Sequence, residues 1–126
     1  MGWDPTTLPW LTPPPVDLRA RARAVGGPAR GRALQDLATH RLDLSGARHV
    51  AGAVGRALGE RAFSPLRRVD LAILAGATVD LLGDPVVAGA ARHGVAVALH
   101  KVPFGQVQQQ LLDPTSALLR SAADVV

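Results

Sequence analysis

The sequence predicts an α/β fold: an N-terminal helical leader followed by a partial, doubly wound parallel sheet in the order β-α-β-α-β. Three observations predict it. Residues 67–76, RRVDLAILAG, and 95–102, VAVALHKV, are short and nearly continuous apolar runs, the pattern of strands covered on both faces of a parallel sheet. The segment between them, ATVDLLGDPVVAGAARHG (77–94), has helical spacing, and strands joined through a helix lie parallel with a right-handed crossover. The closing DVV (124–126) opens a third strand. Two strands and a stub leave unpaired edges. The expectation is a truncated layer, completed by further C-terminal domains of a longer protein or by self-association.

The elements follow in order. Residues 1–15 form a Pro-rich lead, reading WDPTTLPWLTPPP from residue 3 to residue 15, whose three consecutive prolines favour an extended polyproline II path. Trp3, Trp10 and Leu11 are the side chains able to pin it to the body of the protein. Residues 16–63 form an Arg-rich helical subdomain of three helices. The first starts near Asp17 and ends at Gly26-Gly27. The second carries Pro28 in its first turn and sets Leu34, Leu37 and Ala38 on one face. The third takes Ser45 as its N-cap and buries Val50, Val54, Ala57 and Leu58. Residues 64–126 form the partial α/β domain. There Gly94 ends the helix between the strands, and the Asp84-Pro85 pair breaks or kinks that helix. GQVQQQLL makes a short helix. Asp113 and Pro114 supply an N-cap and a first-turn proline for TSALLRSAA.

Composition excludes several function classes. The chain has 126 residues, enough for a single core. With no Cys there is no disulfide framework, thiol catalysis or thiolate metal site. No apolar run is long enough to span a bilayer, and the start, MGWDPTTLPW, has no signal-peptide pattern. A cytoplasmic protein with no membrane partner is expected. The formal charge of +4 arises wholly in the N-terminal half, densest at RARAR (19–23). Arg19, Arg21 and Arg23 are therefore the candidate partner-binding residues. No aromatic is interleaved for base stacking, so nucleic acid is not the expected partner. His40, His49, His93 and His100 lack metal-ligand spacing, and neither dinucleotide nor P-loop glycine motifs occur.

One resemblance covers most of the chain. LAILAGATVDLL (71–82) and AARHGVAVALHKVPFGQVQQQLLDPTSALLRSAADVV (90–126) resemble the N-terminal region of the FkbH-like family. That family joins a strand ending in a small-residue S-[ST]-T-x-[DN] turn to a GxYGQYxQELLDPxSxLYxFxPDVV block. Thr78 and Asp80 match the turn. Phe104, Gly105, Gln106, Gln110, Leu111, Leu112, Asp113, Pro114, Ser116, Leu118, Asp124, Val125 and Val126 match the block. LPWL and HRLD are similar to its leader. The resemblance implies an SGNH-like or flavodoxin-like layer preceding a HAD-type catalytic domain. It implies an activity that forms a glyceryl group from a phosphorylated three-carbon intermediate and loads it on an acyl carrier protein in natural-product biosynthesis. The cofactor implied is Mg²⁺, held by that HAD domain rather than by this chain.

The residues themselves limit what the chain does alone. HAD chemistry needs two aspartates two positions apart, and no pair among Asp4, Asp17, Asp36, Asp43, Asp70, Asp80, Asp84, Asp113 and Asp124 meets that spacing. SGNH hydrolysis needs a Ser after the first strand, where Ala75, Gly76, Ala77 and Thr78 stand. Thr78 and Asp80 are the only candidates for catalysis there. Capping preference assigns Thr78 to the helix N-cap, and Asp80 to the dipole of the first turn. Ligands of open parallel sheets bind beyond the carboxyl ends of the strands. That edge offers Gly76, Ala77, Thr78, His100, Lys101, Gly105 and Gln106, a set suited to an anion at a helix N-terminus. The expected function is a non-catalytic scaffold that docks the carrier protein through its arginines. The alternatives are an SGNH-like esterase or acyltransferase using Thr78, and a self-associating structural module.

Overall fold

The computed structural model describes residues 8–60, 64–77, 79–103, 105–121 and 123–126. Trp3, Thr78 and Phe104 lie outside the described residues. Among the described residues the chain runs α1 (Leu18–Ala24), α2 (Arg30–Ala38), α3 (Leu44–Leu58), β1 (Arg67–Ile73), a 3-10 turn (Asp80–Leu82), α4 (Gly83–Arg92), β2 (Val95–Lys101), α5 (Val107–Leu112) and α6 (Ala117–Arg120). It is a mixed helix and strand architecture with a parallel sheet. β1 and β2 pair from Arg67↔Val95 to Ile73↔Lys101. On the other edge of β1, Val125 makes a parallel bridge to Leu71. There the Asp124 N–H donates to the Asp70 carbonyl at 2.8 Å and the Ala72 N–H to the Val125 carbonyl at 2.8 Å. The spatial order is thus β2, β1, third-strand bridge. The two connections leave in opposite directions, which puts their helices on opposite faces: α4 on one, α5 and α6 on the other.

The core lies on the α4 side. Leu34, Val50 and Val54 have essentially no exposed surface, and Leu18, Ala22, Ala47, Ala51, Val87, Ala88, Ala91 and Val97 join them in one cluster. Helical spacing explains the membership: residues three and four apart share a face, and burying that face stabilises each helix more than propensity does. α3 packs chiefly on α4, through alanines that let the backbones approach. One cluster therefore spans the helical stretch and the sheet.

Several local expectations are corrected. The third helix is capped by Asp43, not Ser45. Asp43 has extended backbone (φ −78°, ψ −179°) and its Oδ1 accepts the Gly46 N–H at 2.7 Å, while Ser45 is already inside the first turn. Asp43→Ala is expected to cost about 1 kcal/mol, read from the urea midpoint. The helix between the strands does not begin at Thr78: a 3-10 turn occupies Asp80–Leu82 and α4 starts at Gly83. Asp84-Pro85 does not kink it, because Pro85 sits in the first turn, where no N–H is needed. Asp80 lies in the 3-10 turn, so the acid in the first turn of α4 is Asp84, 3.6 Å from Arg48. The last helix is capped by Ser116, whose Oγ accepts the Leu119 N–H at 3.3 Å. Asp113 instead closes an Asx turn, accepting the N–H and the hydroxyl of Thr115, each at 2.8 Å. Trp10 does not pin the lead, being 70% exposed; the lead is tied down by the Thr12 carbonyl, which accepts the Arg41 N–H at 2.8 Å.

The strands are not covered on both faces. Side chains alternate across a pleat, so Val69, Leu71 and Ile73 share the α4 face with Val97, Leu99 and Lys101, while Arg68, Asp70 and Ala72 share the other with Ala98 and His100. Within β1 only Ala72 is buried. The second face pairs the exposed Arg68 with the buried Ala96, and α5 and α6 meet it around Ala72 and His100.

Candidate functional site

α5 and α6 form a hinge-like pair locked by two buried polar side chains, Gln110 and Ser116. The Ser116 hydroxyl donates to the Gln110 carbonyl at 2.7 Å, and the Gln110 side-chain carbonyl accepts the Leu118 N–H at 3.1 Å. These bonds satisfy groups that would otherwise be costly to bury. They hold the pair over the end of the sheet and enclose a cavity of about 290 Å³, lined by Ala72, His100, Lys101, Val102, Pro103, Gln110, Ala117, Leu118 and Ser121.

A three-residue ion network shares His100 with that cavity. Arg68 grips Asp70 with two bonds, Nε to Oδ2 and Nη2 to Oδ1, each at 3.1 Å. His100 Nε2 lies 3.2 Å from Asp70 Oδ1. The Arg68 bond and then the His100 bond hold the Asp70 carboxyl down at about 2. An ionised carboxylate only accepts, so the hydrogen of this contact is on His100 Nε2. A His fixed by a carboxylate on a sheet is the arrangement of an oriented base or hydrogen-bonding anchor.

The seven residues expected at the carboxyl edge do not all converge. Gly76 and Ala77 are exposed in the loop after β1. Lys101 alternates to the face opposite His100, its ammonium 3.4 Å from Asp80 Oδ1, so Asp80 serves as an exposed ion partner. Gly105 is an exposed turn residue with φ +77°. The Gln106 side-chain carbonyl accepts from Gln110 Nε2 at 3.3 Å. His100 and Lys101 thus stay at the cavity by position, but only the imidazole is joined to Asp70. Sequence reading missed Arg68, Asp70, Gln110 and Ser121. One signal was present: an acid in the middle of an apolar strand calls for a partner on a neighbouring strand.

A second candidate lies on α1. Arg19 and Arg23, one turn apart, line an open groove with Val16, Asp17, Ala20 and Ala24. Arg21 projects elsewhere and pairs with Asp17 at 2.8 Å. Neither Arg19 nor Arg23 has an ion pair among the described residues. Two of the three expected partner-binding arginines therefore share one face.

No protein-family model, curated protein or solved structure matches this chain. Among the described residues no three His, Asp or Glu side chains gather as a metal site. With no aspartates two positions apart in the sequence, this chain's residues do not fit the Mg²⁺ of HAD chemistry. Among the described residues no helix is long and apolar enough to cross a membrane.

Proposed function

We propose that this chain is a non-catalytic docking region of an FkbH-like cytoplasmic enzyme that loads a glyceryl unit onto an acyl carrier protein. In this reading the sheet belongs to a doubly wound layer of SGNH-like or flavodoxin-like type, and the HAD-type catalytic residues and their Mg²⁺ lie in another domain. The observation that supports it is the α1 groove. Among the described residues its two arginines make no ion pair, the lining Asp17 being paired with Arg21, and Val16, Ala20 and Ala24 give it an apolar floor. Val16 is fully exposed. An acidic amphipathic helix of a carrier protein, with its phosphorylated prosthetic arm, matches both the charge and the floor. Charge complementarity of this kind speeds encounter and sets orientation.

The test is a charge reversal. Arg19→Glu with Arg23→Glu is expected to weaken binding of the acyl carrier protein about tenfold or more, the equivalent of about 1.4 kcal/mol. It should also flatten the salt dependence of the association rate. Arg21→Glu is expected to have a smaller effect, since Asp17 already occupies that arginine. A double variant that binds as tightly as the parent, with the same salt response, defeats this reading.

A further inference from the structure

We infer that the outer edge of β2 is a self-association surface: it pairs antiparallel with the same edge of a second copy, about a two-fold axis at Ala98. The hydrogen bonds of the sheet show which backbone groups are already used. The Arg67 N–H donates to the Gly94 carbonyl at 2.8 Å, and the Val102 N–H to the Ile73 carbonyl at 3.1 Å. Successive residues of a strand turn their N–H and C=O to opposite sides. Gly94, Ala96, Ala98, His100 and Val102 therefore serve β1, while Val95, Val97, Leu99 and Lys101 turn theirs outward. Among the described residues no strand lies on that side, and no hydrogen bond reaches those outward groups. Such a row is a template for another strand unless charge, proline or a bulge guards it. The one charge on this edge is Lys101, at its end, and Asp80 lies 3.4 Å from that ammonium.

The ends of the strand select the register and with it the partner. With Ala98 on the axis, Val97 meets Leu99 of the second copy and Val95 meets its Lys101. Every outward residue then exchanges both of its backbone bonds. A slip of two residues one way sets Lys101 against the exposed His93. The opposite slip sets Val95 against Pro103, which has no N–H to give. The side chains agree with the central register. Val97 and Leu99 lie on the α4 face, so their cross-strand pairs join the two cores in one apolar strip, and such pairs stabilise a sheet. Val95 and Leu99 are only half-buried in the single chain and gain cover. Ala98 meets itself at the axis, where two small side chains leave room for close approach. An unrelated extended segment gains the backbone bonds alone; a second copy adds the mirrored Val97–Leu99 contacts and keeps like charges apart, as a self-complementary two-fold interface requires. None of these residues lies on α1, so this inference stands or falls apart from carrier-protein docking.

The experiment is analytical ultracentrifugation of the full chain from about 5 to about 500 µM, with amide hydrogen exchange by NMR at both ends of that range. A contact centred on one strand buries less than the roughly 800 Å² per partner of a standard interface. The dimer should therefore be weak, with a Kd of roughly 10–100 µM. The chain is expected to be monomeric at the low end and dimeric at the high end, with the Val97 and Leu99 amides slowing as the dimer forms. Ala98→Lys sets two ammonium groups against each other at the axis and should weaken association about tenfold or more. Lys101→Pro removes an outward N–H at the exposed end of the strand, leaves the bonds to β1 in place, and should weaken association by a similar factor. It gives the answer even where Ala98→Lys does not fold. A monomer at every concentration, a dimer whose exchange protection falls on α1 or at Val125 instead of β2, or unchanged association in Lys101→Pro or in folded Ala98→Lys would overturn the inference.

Discussion

Leu34→Ala is expected to lower the free energy of unfolding by about 3 kcal/mol, the middle of the range for removing a fully buried Leu. Leu34 has no exposed surface and is among the largest side chains so enclosed. It sits on α2 in the cluster shared by α1, α3, α4 and β2. Its removal forfeits the transfer free energy of three carbons and leaves a hole that five elements cannot collapse together. For a chain of this size the loss amounts to roughly 10–15 °C in Tm. It is a large part of a typical domain's total stability. Urea denaturation measures it directly, with Leu81→Ala as the control. Leu81 is 68% exposed, and its truncation should change stability by less than about 0.5 kcal/mol. Equal effects at the two positions would show that α2 is not seated on this core.

Asp70→Ala is expected to cost about 1 kcal/mol at neutral pH, because it strips Arg68 and His100 of a shared acceptor that solvent partly screens. The pH dependence gives a sharper readout. The carboxyl is held at about 2 in the folded chain against an ordinary value of 3.8. A group whose value is lower when folded contributes stability that is present above the unfolded value and is lost as pH falls through the folded one. The window is therefore pH 4 down to 2. With 22% of the side chain in solvent, screening limits the contribution lost to about 1 kcal/mol. The parent should lose this much more than Asp70→Ala between those pH values, in denaturant titrations at each. The bridge to Val125 should survive the substitution, since it uses the backbone of Asp70 and Ala72. Parallel acid limbs for parent and variant would mean that Asp70 does not titrate with folding.

Much of the fold was legible because its signals are local. The apolar runs at 67–76 and 95–102 each contain an observed strand, and the GQVQQQLL stretch contains α5. Gly94 takes φ +81°, a left-handed conformation open to glycine, just past the end of α4. Caps were less legible. Asp43 and Ser45 are both good N-cap residues two positions apart, and only the extended backbone at Asp43 decides between them. Asp113 and Ser116 pose the same choice. Asp113 is drawn into its own turn by Thr115, while Ser116 is fixed by Gln110 from the preceding helix.

The candidate sites divide along the same line. The sequence by itself determined the two paired strands and the order of the helices around them, the concentration of arginine on the first helix, and the absence of a HAD aspartate pair, while the third strand it predicted is a single bridge at Val125. These depend on spacing within a few residues or on composition. Only the tertiary structure decided which side chains meet. Asp70 and His100 are thirty residues apart, and their contact follows from a register in which Ala72 faces His100. The same pleat sends neighbouring Lys101 to the opposite face, and the turn of α1 separates Arg21 from Arg19 and Arg23. A pairing register, and the face a side chain takes within it, are set by how whole elements bury their apolar surfaces against one another, and that is a property of the assembled layer.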